Sequence, residues 1–437
     1  MSVPVQGAAV RALAARALAR VVAGESLRSA FAVSASRLDD SRDRALLSSL
    51  VHEGARWWLR YDAAIDRLAE RPLREREAQV HALLVLGLVQ LDVLRLPEYA
   101  AVAATVEATR ALHRPKFAGL VNALLRRWLR ERDAIVARLD DKEVMRTAHP
   151  RWLIDTLRRD WPRDVAAILD ADNRIAPLWL RANRRRTTRA ALLERLAAAG
   201  VAAQAADDLD DAIVLAESTD VTRLPGYAEG EFSVQDGAAQ WAATLLDARD
   251  GERVLDACAA PGGKSAHILE RASAKLIALD ADAERLPRLH ENLARLGLVA
   301  EVRAGDAAKP VAWWDGIPFE RILIDAPCSA TGIIRRQPDI KLHRRSEDIA
   351  ALAATQAHLL AALWPLLERG GRIVYATCSL FADENTRQVE RFLGATPDAQ
   401  CLDLAPVGWR RDAVGGAQNL PGDGGMDGFY YAVLERI

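Results

Sequence analysis

Over residues 1–140, apolar side chains recur at three- and four-residue spacing in Val10–Val22, Ala45–Leu59, Val80–Leu94 and Ala118–Leu129. That is the period of an amphipathic helix, and no alternating strand pattern competes with it. Pro72 and Pro97 fall in short breaks between these segments. An all-α bundle is predicted. After His149-Pro150 a helical stretch (151–170) gives way to a mixed pattern. Leu178–Asn183 reads as a strand, Arg189–Ala199 as a helix and Ile213–Leu215 as a second strand, so 141–235 predicts a small α+β module. From residue 251 strands alternate with helices. The strands are Arg253–Asp256, Lys275–Asp280, Ala300–Ala304, Arg321–Asp325 and Arg372–Ala376. The helices are Lys264–Arg271, Asp282–Leu296, Glu347–Leu367 and Asp383–Leu393. Parallel strands crossed by helices make a Rossmann-like α/β domain, expected over 236–437.

Composition narrows the class. The chain has 437 residues, 50% of them hydrophobic, which suits a multidomain globular protein and excludes a largely disordered one. Four cysteines exclude a disulfide scaffold and fit a reducing compartment. Their spacing contains no CxxC pair, so no metal is expected. Met1 to Ala15 lack a basic start followed by an apolar core, and the clean apolar run Ala82–Val89 is too short for a membrane span. A cytoplasmic, monomeric protein with no membrane partner is expected. The net charge of −1 conceals two opposed blocks: residues 101–200 hold 21 basic and 12 acidic side chains, and residues 201–250 hold 2 and 11. The basic block is nearly all Arg, which forks onto phosphate and stacks on bases. Arg126, Arg184, Arg185, Arg186 and Arg189 are therefore candidate RNA contacts. The alternative for the last four is pairing with the acidic stretch 207–220.

In an open α/β sheet, ligands bind beyond the carboxyl ends of the strands. The first strand ends in Asp256-Ala257-Cys258-Ala259-Ala260-Pro261-Gly262-Gly263-Lys264, a tight turn that brings a ligand close to the backbone and to a helix N-terminus. It is no phosphate loop, because Cys258 stands where the first Gly is required. The second strand ends in Asp280, suited to a ribose diol, and the third runs into Gly305-Asp306. These acids fit an adenosine ligand without a phosphate, and S-adenosylmethionine is the obvious candidate. The fourth strand ends in Asp325-Ala326-Pro327-Cys328 and the fifth in Thr377-Cys378-Ser379, which places two thiols at one sheet edge. Cys401 reads as structural. A methyltransferase needs a thiol when its acceptor is pyrimidine carbon 5. Adding a thiolate at carbon 6 makes carbon 5 nucleophilic, and the adduct then loses the carbon-5 proton and the thiol. The residues leave open which cysteine attacks; Asp325 is a candidate partner for ring N3.

These motifs resemble the RNA cytosine-C5 methyltransferases of the NOL1/NOP2/Sun type. The matching residues are Val254–Lys264, Asp325–Gly332 and Ala376–Ser379, supported by Phe232–Asp236, Arg335–Lys341, Glu384-Asn385 and Asp427–Tyr430. Residues 1–140, notably Lys116–Arg126, resemble the NusB-type RNA-binding helical domain. The resemblance implies 16S rRNA as partner and its cytosine 967 as target. It implies Cys378 as nucleophile and Cys328 as the thiol assisting product release. It sets the methionine part of S-adenosylmethionine against Cys258, Ala259, Ala260, Pro261, Gly262, Gly263 and Lys264. Asp280 is implied for the ribose and Asp306 for the adenine edge. Asp325 is implied near the methyl group and base, and Lys264 near the base. Other readings are a tRNA or 23S rRNA cytosine substrate, or an inactive RNA-binding assembly or antitermination factor. The two thiols and Asp325 argue against the inactive form.

Overall fold

The computed structural model describes residues 7–437 apart from 70–72, 74–76, 218, 404–405 and 407. Pro72 and the start of the Met1–Ala15 stretch lie outside the described residues. By backbone contacts the chain forms two units, residues 1–174 with 334–346, and residues 175–333 with 347–437.

The first unit is helical: α1 (Ala8–Val22), α2 (Leu27–Ala35), α3 (Ser41–Arg56), α4 (Trp58–Leu68), α5 (Ala78–Asp92), α6 (Glu98–Ala111), α7 (Ala118–Asp140), α8 (Glu143–Thr147), α9 (Arg151–Asp160) and α10 (Val165–Asp172). α5 is apolar around its whole circumference, and Val80 to Leu91 are all buried, so it is the axis of the bundle. Gly87 lets α7 approach it: a Cβ there would stand 2.7 Å from Leu125. The periodicity reading found α1, α5 and α7. It merged α3 and α4, which part at Trp57, and it passed over α2 and α6. α6 is rich in alanine, so its buried and exposed faces differ little in hydropathy.

The second unit starts with β1 (Leu178–Ala182), α11 (Arg189–Ala198), β2 (Ala203–Ala205), β3 (Ala212–Leu215) and β4 (Phe232–Val234), an antiparallel sheet in the order β2-β3-β1-β4. α12 (Gly237–Leu246), N-capped by Asp236, leads into β5 (Arg253–Asp256), α13 (Gly263–Arg271), β6 (Lys275–Asp280), α14 (Leu286–Leu296), β7 (Glu301–Ala304) and β8 (Phe319–Asp325). After α15 (Ile340–His343), which belongs to the first unit, come α16 (Ser346–Leu363), β9 (Leu367–Thr377), α17 (Thr386–Ala395), β10 (Ala399–Leu402), β11 (Arg410–Arg411), β12 (Ala417–Asn419) and β13 (Phe429–Arg436). The large sheet runs β11-β12-β13-β9-β8-β5-β6-β7, with β10 also paired to β13. β7, β6, β5, β8 and β9 are parallel, as the sequence pattern requires. The unforeseen strands β10 to β13 are antiparallel and extend the sheet beyond β9, so the domain is mixed rather than wholly parallel.

Alternate residues of each parallel strand enter opposite cores. Val254, Leu323 and Val374 pack with α12, α13 and α14, while Leu255, Ile322, Ile324 and Tyr375 pack with α16 and α17. The window Ser346–Leu366, with mean hydropathy 1.5, is long and apolar enough to cross a membrane. Its Leu359, Leu360 and Leu363 are buried in the sheet core.

Residues 334–346 pack within the first unit. Lys341 is buried there, its Nζ donating to the Arg56 carbonyl (2.8 Å) and Asn173 Oδ1 (2.9 Å). The Arg56 guanidinium donates to the carbonyls of Asp172 and Arg335, and the Leu27 N–H to Asp339. Burial, with the Arg56 charge adding to it, pushes the Lys341 ammonium well below an ordinary lysine.

Candidate active site

The parallel strands of the second unit end at one edge, where Asp256, Asp280, Asp306, Asp325, Cys328 and Cys378 follow β5, β6, β7, β8 and β9. The turn after β5 is held from several sides. Ala259 N–H donates to the Leu279 carbonyl (2.9 Å) and Ala260 N–H to Asp280 Oδ2 (2.9 Å). Asn292 donates to the Pro261 carbonyl (2.8 Å), and Arg285 to the Ala260 carbonyl. Gly262 has φ +93°, a left-handed conformation that glycine takes without strain, and it feeds directly into α13. Cys258–Lys264 is thus a rigid turn.

The acids beside it differ. Asp256 is fully buried, with Oδ2 accepting from Ser265 (2.6 Å). Burial, reinforced by Asp325 and Asp280 and opposed by Ser265, pushes its pKa up to about 7. Asp280 is also buried; its two oxygens already accept the Ala260 and Asp282 N–H groups. Asp306 is more open, and hydrogen bonds from Lys309 and the Ala308 N–H hold it below the usual carboxylate range.

Lys264, at the first turn of α13, reaches Asp325 Oδ2 at 2.6 Å, and its Nζ stands 5.2 Å from the Phe429 ring centroid. Burial lowers the Lys264 pKa, but Asp325 and, behind it, Cys378 and Asp256 outweigh that, so the ammonium is held above an ordinary lysine. The Cys328 and Cys378 sulfurs stand 3.5 Å apart and share a hydrogen bond. That bond, burial and the charges of Cys378 and Glu384 push the Cys328 thiol well above its ordinary value. Cys258 is likewise raised, by burial and then by Asp325, Asp256 and Asp280, and Cys401 to about 11 by burial and then Asp412.

The sequence reading did not single out Arg181, Glu270 or Glu384 as members of the site. Arg181, fully buried on β1, forks onto Glu270 (2.7 and 2.9 Å) and donates to Gln235 and to the Gly263 carbonyl (3.2 Å). An Arg inside an apolar strand was the available signal. The candidate RNA-binding arginines make contacts of their own. Arg184 pairs with Asp211, Arg185 donates to the Leu269 carbonyl and Ser273, and Arg189 to the Ala206 and Leu209 carbonyls. Arg186 packs against Gly297. Arg126, exposed on α7 of the first unit, donates to Asn122.

A Rossmann-like sheet whose strand ends carry a glycine turn, spaced carboxylates and a pair of thiols is that of a methyltransferase. The comparisons with known proteins agree. Residues 243–435 match the model of the 16S rRNA methyltransferase RsmB/F family, 149–222 its ferredoxin-like domain and 8–130 the NusB family. Ribosomal RNA small subunit methyltransferase B of Pseudomonas putida is 49% identical over 430 residues, 98% of each chain. The crystal structure of PH0851, 22% identical, aligns over 100% of both chains with a TM-score of 0.85. NSun6 from Pyrococcus horikoshii with SFG, 19% identical, covers 66% of this chain and 98% of its own with a TM-score of 0.59; both speak for the fold alone. The chain belongs to the RsmB/F family of methyltransferases, with a NusB-type helical domain at its N-terminal end. That family is the one anticipated from its motifs.

Proposed function

We propose that this protein methylates carbon 5 of a cytosine in 16S rRNA, cytosine 967, using S-adenosylmethionine. The observation that supports this most is the thiol pair, 3.5 Å apart, beside the Lys264–Asp325 ion pair. The relatives' names supply the RNA; the paired thiols supply the reason for a pyrimidine carbon.

The residues present fit the cofactor. The Cβ position of Gly263 is open, with only Gln235 Nε2 nearby at 3.9 Å, so a ligand can approach the turn and the N–H groups of α13. Cys258–Lys264 would hold the methionine part, Asp280 the ribose and Asp306 the adenine edge, while Asp325 lies near the methyl group. When bound, S-adenosylmethionine supplies the methyl group that carbon 5 takes up. The chain does the rest. Cys378, supported by the Lys264 ammonium, adds its sulfur to carbon 6, and the ring becomes enamine-like. Asp325, with Lys264 beside it, orients the base at its N3 edge. After methyl transfer a base, for which solvent water suffices, takes the carbon-5 proton; the freed electron pair restores the 5,6 double bond, the Cys378–carbon-6 bond breaks with its electrons returning to the Cys378 sulfur as thiolate, and Cys328, 3.5 Å away, assists that release. The base must be unstacked to reach the thiols, and Arg126, Arg184, Arg185, Arg186 and Arg189 are assigned to contacts with RNA phosphates.

The test is transfer of labelled methyl groups to unmodified 16S rRNA, with the modified base mapped. Wild type is expected to yield 5-methylcytosine at one position, Cys378→Ala none, and Cys328→Ala a covalent protein–RNA adduct. Exchanged phenotypes overturn the thiol assignment. Transfer to tRNA but not to rRNA overturns the substrate.

A further inference from the structure

Resting on that reading, we propose that Glu384 is the positioning residue that sets the two thiols against each other and keeps their roles distinct. β8 and β9 pair only as far as Asp325 and Ala376, so the ladder stops short of both cysteines. Beyond it, one buried carboxylate bridges the two loops. Glu384 Oε1 accepts the Ser329 N–H (2.8 Å) and Gln356 Nε2 (3.0 Å). Its Oε2 accepts the hydroxyls of Ser329 and Ser379, both at 2.5 Å. Gln356 also donates to the Pro327 carbonyl (3.0 Å). The neighbouring Asn385 accepts from Thr377 (2.6 Å) and donates to the Ser379 carbonyl (2.9 Å). Glu384 therefore grips the residue after each cysteine, Ser329 and Ser379, while Asn385 holds Thr377 before Cys378 and Gln356, itself bound to Glu384, holds Pro327 before Cys328. A carboxylate taken fully out of water persists only where donors surround it, and charge-assisted bonds of this kind fix geometry more firmly than neutral ones.

The grip is also electrically asymmetric. Cys328 faces Cys378, Glu384 and, behind it, Tyr375, and it receives a hydrogen bond from the Ala330 N–H. The Glu384 charge disfavours a thiolate at Cys328. The Cys328 thiol thus holds its proton more tightly than an ordinary cysteine while sharing a hydrogen bond with Cys378.

The test uses the full-length protein and 16S rRNA. In Glu384→Gln the charge is lost with little change of shape. The rate of methyl transfer is expected to fall at least tenfold, with S-adenosylmethionine affinity and the RNA KM within twofold of wild type. The pH midpoint for iodoacetamide labelling of Cys328, read by mass spectrometry in a Cys378→Ala background, is expected to move down by one unit or more. Glu384→Asp, which keeps the charge but not the reach, is expected to lose rate without moving that midpoint. A wild-type rate and an unmoved midpoint in Glu384→Gln overturn the proposal. A moved midpoint in a protein that methylates no RNA, wild type included, leaves the assignment of Glu384 standing and overturns the function proposed above. Should Glu384→Gln fail to fold, Ser379→Ala removes one of the gripped hydroxyls and leaves the charge; a wild-type rate there overturns the proposal, and a tenfold fall at unchanged cofactor affinity supports it.

Discussion

Arg181→Met separates two effects that meet at one side chain. Arg181 and Glu270 are both buried, and the guanidinium forks onto the carboxylate at 2.7 and 2.9 Å. Removing the arginine leaves the Glu270 charge without its partner inside the protein, which costs about 3–5 kcal/mol. At about 1.4 kcal/mol per decade, amides of β5 and β6 that exchange through opening of this unit should then exchange roughly two to four orders of magnitude faster. Replacing both members, Arg181→Met with Glu270→Met, removes the charge as well, and protection should return to within about tenfold of wild type or above it. The second effect concerns the turn after β5, proposed above to hold the methionine part of S-adenosylmethionine. Arg181 Nη1 also donates to the Gly263 carbonyl at 3.2 Å. Loss of one such bond is worth about 1 kcal/mol, a roughly fivefold weakening of S-adenosylmethionine binding. That weakening should appear in the single and the double variant alike, because neither restores a donor. Hydrogen exchange by mass spectrometry reads the first effect and calorimetric titration of S-adenosylmethionine the second. A double variant as poorly protected as the single one refutes the orphaned-charge account. Unchanged affinity in both refutes the link from β1 to the turn.

Three further outcomes are expected. Asp256 binds its proton up to about pH 7 in the folded protein and only below about 3.8 when unfolded, so its contribution is fully present at low pH and is lost as pH rises through that window; between pH 5 and 8 the urea midpoint of wild type should fall more steeply than that of Asp256→Asn, and equal slopes refute the shift. A Cβ on Gly332 would stand 2.1 Å from the Gly428 carbonyl oxygen, and Gly332 N–H donates to the Cys378 carbonyl at 2.8 Å; Gly332→Ala should therefore displace Cys378, the proposed nucleophile, and reduce methyl transfer at least a hundredfold, and a rate within threefold of wild type refutes it. Reversing Arg184, Arg185 and Arg186 to Glu should weaken 16S rRNA binding and flatten its dependence on salt, while an unchanged slope in a filter-binding titration removes these residues from the phosphate contacts.

What the sequence revealed and what it hid follow from the range of the interactions involved. The parallel strands and the residues at their ends were legible because each lies within one short apolar run and its exit, and the chemistry of Asp325, Cys328 and Cys378 is set by residue type. β10 to β13 were not legible. β12 is three residues long, Ala417–Asn419, and polar at two of them, and it is a strand because β11 and β13 pair with it. Residues 334–346 were recognisable as a motif, but nothing local says that Lys341 is buried against the Arg56 carbonyl, 285 positions away. The arginine triplet shows the same limit in reverse. Its composition points to phosphate, and the fold adds contacts within the chain that composition does not show: Arg184 pairs with Asp211 in the acidic stretch and Arg185 donates to the end of α13. An arginine run announces charge, and only the fold decides which partner answers it. Arg181 is the sharpest instance: it reads as an irregularity in an apolar strand, and its guanidinium reaches the Gly263 carbonyl in the turn after β5. Sequence therefore names candidate groups by residue type and includes Glu384 in a motif, whereas the bonds that Arg181 makes to the turn after β5 and Glu384 makes to the loops after β8 and β9 become visible only when the strands are brought side by side.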